Sequence, residues 1–209
     1  MENKPTIFVV DDDESARHSV CALAQSIGLQ VEAFSSAEDF LNSYHPGRPG
    51  CLVTDLRMPR MSGRELQDEL NRRRIKLPII IITAFAETDV TVSAMKQGAV
   101  TLMEKPPRSH ELVDAIHSAL AEDQAIRIRQ TRRIDAQHRL AQLTPSETDV
   151  LKAIISGKAN KVIASDLDVS IRTVEMRRHN VFKKTGTQSV AELVRFALKS
   201  LDEASEIHD

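Results

Sequence analysis

Over residues 1–122 the sequence alternates short runs of β-branched and aliphatic residues with longer windows of helical periodicity. Such alternation is what βαβ units look like in sequence, and few folds other than a parallel sheet covered by helices accommodate it. Five strands are predicted, at Ile7–Val10, Gln30–Phe34, Cys51–Thr54, Ile79–Ile82 and Val100–Met103. Between the first two, Val20, Leu23, Ala24 and Ile27 recur at helical spacing and stop at Gly28. Ser35 with Glu38 supplies a capping-box start for the second helix, and Gly98 ends the fourth. The expected fold is a doubly wound α/β domain.

That domain does not use up the chain. A length of 209 residues favours two modest domains. Charge divides the same way: residues 1–122 hold 13 Lys+Arg against 18 Asp+Glu, 123–142 hold 5 against 2, and 143–201 hold 10 against 6. The last eight residues, 202–209, add four acids and no Lys or Arg. An acidic first domain joined to a basic second one implies that only the second meets a polyanion. The longest apolar stretch, Pro78–Ala86, falls far short of the roughly 20 residues a membrane helix needs. Two cysteines, Cys21 and Cys51, form no CxxC pair and no disulfide scaffold. The expectation is a soluble, unexported, cytoplasmic protein that has no membrane partner.

Acidic and hydroxyl groups gather at the predicted strand ends. Asp11, Asp12 and Asp13 follow the first strand, Asp55 the third, Thr83 the fourth and Lys105 the fifth. In an open parallel sheet, ligands bind outside the carboxyl ends of the strands, so these side chains converge on one site. Two carboxylates 4 Å apart repel by about 4 kcal/mol at an effective dielectric near 20. A hard divalent cation offsets that repulsion, and all-oxygen ligands suit Mg²⁺.

The segments VVDDDES (Val9–Ser15), TDLRMPRMSG (Thr54–Gly63), ITA (Ile82–Ala84) and EKP (Glu104–Pro106) resemble the receiver domain of bacterial two-component response regulators. The resemblance covers about residues 5–122 and implies a flavodoxin-like fold of five parallel strands. It implies further that Asp55 accepts a phosphoryl group from the phosphohistidine of a sensor histidine kinase. Asp11, Asp12, Asp55 and the backbone carbonyl of Arg57 would hold Mg²⁺, Lys105 and Thr83 would contact the phosphoryl oxygens, and Lys105–Pro106 would be cis. The chemistry requires each part: a carboxylate nucleophile, a metal and an ammonium for charge on the transferred oxygens, and a hydroxyl that reports the new group. Two positions depart from the pattern. Leu102 stands where receivers carry a switching Tyr or Phe, and Pro107 where a bulky apolar residue is commoner. Phe85, nearby in sequence, reads first as an ordinary packed loop aromatic, with compensation for Leu102 as the alternative.

An enzyme reading also fits the first strand end, because Asp11, Asp13 and Ser15 match the DxDx[TS] start of haloacid-dehalogenase-type phosphatases. It fails on PPRSHELV after Lys105, which has no acidic pair for the metal, and it leaves Asp55 unexplained. The expectation is a protein that is not an enzyme.

Residues 123–142 are charged and free of Gly and Pro, which predicts a helical linker. In the second domain, 143–201, Thr144 as N-cap, Pro145 at the first helical position and Glu147 three residues after the cap start a helix over Val150, Leu151, Ile154 and Ile155 that stops at Gly157. Ile163 and Leu167 then share one face, a turn spans Asp168–Ser170, and a helix capped by Ser170 runs over Ile171–Lys184. Two short helices joined by a tight turn form a helix-turn-helix in an all-α domain, followed by a last helix at Ala191–Leu201. The segments LTPSE, NKVIASDLDVS and RTVE resemble the LuxR-type output domain, and the whole chain is similar to the FixJ/NarL response regulators. By that resemblance Lys161, Arg172, Thr173, Glu175, Arg178 and Lys184 are positions that contact double-stranded promoter DNA, the phosphorylated chain acting as a homodimer. Arg177 is a further candidate, standing where the group has His, and Ser146 stands where the group has Arg. The alternative from another class is a receiver-controlled module whose C-terminal helices bind a protein.

Overall fold

β1 (Thr6–Val10) is buried along its whole length, with Ile7 and Val9 facing one side of the sheet and Phe8 and Val10 the other. A strand buried on both faces is what a parallel sheet covered by helices requires. The computed structural model describes residues 4–84, 95 and 98–201. β1 pairs in parallel with β2 (Gln30–Phe34) and with β3 (Gly50–Asp55), β3 with β4 (Ile79–Thr83), and β4 with β5 (Thr101–Glu104). The resulting strand order is β2-β1-β3-β4-β5. The order reverses between β1 and β3, so their carboxyl ends flank the crevice where such sheets bind ligands.

Helices α2 (Ala37–Ser43) and α3 (Gly63–Arg72) cover one face through Phe40, Leu41, Leu66 and Leu70. α1 (Glu14–Ser26) and the first turns of α4 (Ser109–Ala141) cover the other through Val20, Ala24, Leu112 and Ile116. β1, β3 and β4 each gain a residue or two on the predicted spans, and β5 is shifted by one. The start of α2 is corrected: Ser36, not Ser35, is the N-cap, accepting from the Asp39 N–H at 3.1 Å. Ser35 instead faces the Asp39 carboxylate at 3.4 Å. Most of the window expected as a helix before Gly98, together with Phe85, lies outside the described residues.

The chain divides into two compact units between Arg127 and Ile128. The division falls five residues beyond the predicted end of the first domain, because the first linker residues bond back to it. Asp123, 3% exposed, accepts from the Gly50 N–H at 3.0 Å and from Arg127 Nε at 2.7 Å. Arg127 also donates to the carbonyls of Gly47, at 2.7 Å, and Arg48. Gly50 has no alternative here, since a Cβ on it would lie 1.9 Å from the Thr6 carbonyl oxygen.

The second unit begins within α4, which runs without a break to Ala141. α5 (Pro145–Ile155) opens with a complete capping box: Thr144 accepts from the Glu147 N–H, and the Glu147 carboxylate accepts from the Thr144 N–H. α6 (Asn160–Asp166) and α7 (Ile171–Thr185) follow, then α8 (Val190–Leu201). Val150, Ile154, Ile163, Val174, Val181 and Leu193 form the core of this unit. α8 starts one residue earlier than predicted, and α7 ends at Gly186 in the left-handed conformation, φ 69°. Among the described residues no helix is long and apolar enough to cross a membrane.

Candidate functional site

Three carboxylates converge at the carboxyl ends of β1 and β3. Asp11, Asp12 and Asp55 each bring an oxygen to within 4.8 Å of the others. Asp11 and Asp55 are 5% and 8% exposed, whereas Asp12 faces solvent, so the cluster has two walls and an open side. Lys105, from the end of β5, donates to Asp11 Oδ2 at 2.7 Å and lies 3.1 Å from Asp55 Oδ2. One ammonium against three carboxylates leaves the pocket negative, and its donors are all oxygen. That combination fits a hard divalent ion which keeps some of its waters on the open side.

Backbone donors fix the orientation of each acid. The Asp13 N–H donates to Asp11 Oδ1 at 2.9 Å, and Asp13 in turn caps α1 by accepting from Ser15 and Ala16. Arg17, one turn into α1, donates to the Asp11 carbonyl at 2.6 Å. The Leu56 N–H donates to Asp55 Oδ1 at 2.8 Å. Asp55 is thus held at one oxygen by backbone and at the other by Lys105, so its carboxylate cannot rotate freely. The loop after β3 turns tightly against it: a Cβ on Gly63 would lie 2.1 Å from the Asp55 carbonyl oxygen, and the Gly63 N–H donates to the Leu56 carbonyl.

Burial pushes the Asp11 carboxyl above its ordinary range, more than its bond to Lys105 lowers it. For Lys105, burial acts to lower the ammonium, but Asp11 and Asp55 together outweigh it and hold the group above its ordinary range. The Lys105–Pro106 peptide is cis, and the Lys105 N–H donates to the Thr83 carbonyl at 2.8 Å. Thr83 is fully buried beside this strand pair. Leu102 is half-buried against the core on the α2–α3 side, and Arg57 is exposed just past Asp55.

In the second unit, Val174, Val181 and Thr185 turn inward from α7. At 100° per residue, Arg172, Met176, His179 and Lys183 fall within an arc of about 60° on the opposite side. All four are exposed, Met176 by 59%. Sequence reading passed over Met176 and His179, which counting in helical steps from Arg172 would have found. Of the predicted contacts, Lys161, Arg172 and Glu175 are exposed, while Thr173 is half-buried with its hydroxyl 2.8 Å from that of Ser170. Arg177 and Arg178 are half-buried on the two flanks, Arg178 with its guanidinium 5.8 Å from the Phe182 ring centroid.

Lys184 has a different setting. Its ammonium donates to Glu147 Oε2 at 2.6 Å and to the Gln142 carbonyl at 3.1 Å. Together with the Thr144 backbone, this holds the Glu147 carboxyl below its ordinary range, the Lys184 bond contributing most. Arg139 donates to the Thr185 carbonyl at 3.1 Å, satisfying one of the carbonyls exposed at the end of α7.

Comparison with known proteins assigns both units. Residues 7–117 match the family model "Response regulator receiver domain", and residues 141–197 match "Bacterial regulatory proteins, luxR family". Among curated proteins, the transcriptional regulatory protein TdiR of Thauera aromatica is 36% identical over 98% of this chain and 90% of its own length. The transcriptional regulatory protein FixJ of Azorhizobium caulinodans is 40% identical over 92% and 91%. Among solved structures, the response regulator StyR superposes with a TM-score of 0.83 at 40% identity, covering 94% of this chain and 99% of that one.

Proposed function

The chain belongs to the transcriptional response regulators that join a receiver domain to a LuxR-type DNA-binding domain, and from that premise we propose that Asp55 is the residue phosphorylated and that the phosphohistidine of a sensor kinase is the donor. The observation that carries this is the placement of Lys105, whose ammonium spans Asp11 and Asp55 beside three converging carboxylates. A carboxylate oxygen of Asp55 attacks phosphorus in line, the new O–P bond forms as the N–P bond to the donor imidazole breaks, and the imidazole nitrogen takes up a proton. Lys105 then pairs with the charge on the transferred oxygens, and the buried Thr83 hydroxyl reports the new group to the strand behind it. Asp11, Asp12, Asp55 and the Arg57 carbonyl would hold Mg²⁺, which when bound supplies positive charge to the phosphoryl oxygens.

As output, we assign dimerisation and promoter binding to the phosphorylated chain. Arg172, Met176 and His179 on the exposed side of α7 read base edges in the major groove, while Lys161, Lys183 and the flanking Arg177 and Arg178 face phosphates. The domains run over 1–122 and 143–201, with the helical segment 123–142 joining them, and the work of such a protein is in the cytoplasm. The receiver match over residues 7–117 supports this reading over the phosphatase one, which gave Asp55 no part.

The test is labelling with a small acyl phosphate in the presence and absence of Mg²⁺. Wild type should take up one phosphoryl group per chain, and Asp55→Asn none. Label that persists in Asp55→Asn, or that maps to Asp11, removes the assignment. Binding to a specific duplex that weakens steeply with salt supports the output reading. A chain that binds no duplex in either state would move the C-terminal unit to protein interaction.

A further inference from the structure

Arg48, Arg127, Lys158 and Lys184 each face a carboxylate. The other cations of α7 are in the reverse situation: among the described residues Arg172, Arg177, Arg178 and Lys183 make no ion pair, and Glu175 is the only acid on the helix. Four uncompensated cations over 15 residues form a surface that awaits polyanionic charge. The chain carries such charge itself. The segment Asp202–Asp209 reads DEASEIHD, four acids without Lys or Arg, and it follows directly on α8.

Resting on the reading of α7 as the DNA-facing helix, we propose that this acidic segment docks on the exposed and flanking cations of α7 and competes there with DNA. Reach permits it. α8 packs in the same core as α7, through Leu193 against the cluster of Val174 and Val181, and Ala197, still 5% exposed, lies only one turn before Leu201. Eight residues span up to about 27 Å when extended. α7 with its 15 residues is about 22 Å long and, with side chains, about 10 Å across, so a segment that first rounds the helix can still cover part of its exposed side. Carboxylates spaced along an extended chain present the same chemistry to Arg and Lys as a row of phosphates, at lower charge density. Tethering sets the local concentration of the segment at about millimolar, so a contact too weak to persist between separate molecules still occupies the face within one. Duplex DNA displaces the segment, and the cost of displacement appears as a reduced apparent affinity.

The experiment uses the full chain and a variant that neutralises the segment: Asp202→Asn, Glu203→Gln, Glu206→Gln and Asp209→Asn. Zero-length carbodiimide coupling without DNA, mapped by peptide mass, should join Lys183 to a carboxylate of 202–209 within a single chain at low salt. The product should vanish at about 0.5 M salt, where the screening length falls to a few ångströms. The neutralised variant should bind duplex DNA about three- to tenfold more tightly at low salt, with the difference closing as salt rises. Tighter binding without the cross-link means long-range repulsion only, and it overturns docking. Cross-links formed only between chains, or equal affinities of the two proteins, also overturn the proposal. A cross-link in a chain with no measurable affinity for any duplex upholds docking and instead removes the DNA reading of α7.

Discussion

Removing Arg127 should do more damage than its place at the edge of the first unit suggests. Its guanidinium satisfies three acceptors at once: the Asp123 carboxylate and the carbonyls of Gly47 and Arg48. The Asp123 side chain is 4% exposed; both of its bonds fall on Oδ2, and Oδ1 has no hydrogen-bond partner. Arg127→Ala therefore strands a buried carboxylate with only the Gly50 N–H to hold it, a loss of about 3–5 kcal/mol. Asp123→Asn keeps an acceptor for Gly50 and removes the charge, so about 1–2 kcal/mol is expected. The double variant should cost less than the sum of the two, because the stranded charge is gone. Tyr44 is the chain's one tyrosine and there is no tryptophan, so intrinsic fluorescence under urea reports the first unit alone. That residue is 8% exposed, its ring 5.2 Å from Phe8 edge-on and 5.2 Å from Phe40 at a tilt, so unfolding must change its emission. At a urea m-value of about 1.5–2 kcal/mol per molar, the Arg127→Ala midpoint drops by about 1.5–3 M. A loss under about 1 kcal/mol, or strict additivity in the cycle, would refute the reasoning.

Three further outcomes are expected. Glu147 is held below its ordinary range, so its contribution to the second unit is complete at neutral pH and is lost as pH falls through the depressed folded value; thermal melts of wild type should show that acid loss, and Glu147→Gln should flatten it. Lys183→Ala should leave the melting temperature within a degree or two and reduce the salt slope of DNA binding by about 1, whereas Lys184→Ala should lower the melting temperature by unpinning Glu147. With Leu102→Tyr, dimerisation should depend more steeply on phosphorylation, since a ring adds packing to the active state that leucine lacks; equal steepness in both proteins, measured by light scattering with and without phosphodonor, would make the position dispensable.

Much of this was legible in the residues because the signals were local. The strands announce themselves through Ile, Val and Leu in short runs, and Thr144, Pro145 and Glu147 mark a helix start to the residue. Adjacent serines defeated the same logic at α2, where Ser35 and Ser36 each have an acid three residues on and only the backbone decides between them. The clamp at Asp123 was invisible for another reason: its partners are backbone groups at residues 47–50, which carry no side-chain signal and lie more than 70 positions away. Lys184 shows the limit on the DNA side. A basic helix reveals its charge in sequence, but only the packing of α5 tells that this ammonium turns toward Glu147 while Lys183, its neighbour, faces solvent. The acidic pocket was readable because strand ends converge by topology, whereas the donors that orient its carboxylates are again backbone.

Strand β3 meets its neighbours at both ends through contacts that leave no room for a single carbon. Gly50 abuts the Thr6 carbonyl at its start, and Gly63 abuts the Asp55 carbonyl at its finish. Neither glycine offers a functional group, yet one sets how closely β3 lies against β1 and the other how closely the start of α3 lies against the nucleophile. In a saturation library scored for signalling, both positions should therefore look as intolerant as Asp55 itself. Gly28 and Gly157, which have open space around them, should accept Asn or Asp at small cost. Intolerance at a residue that touches no phosphate would then measure how closely β1 and α3 must pack around the nucleophile's strand, and it would separate positional precision from chemistry in the same experiment.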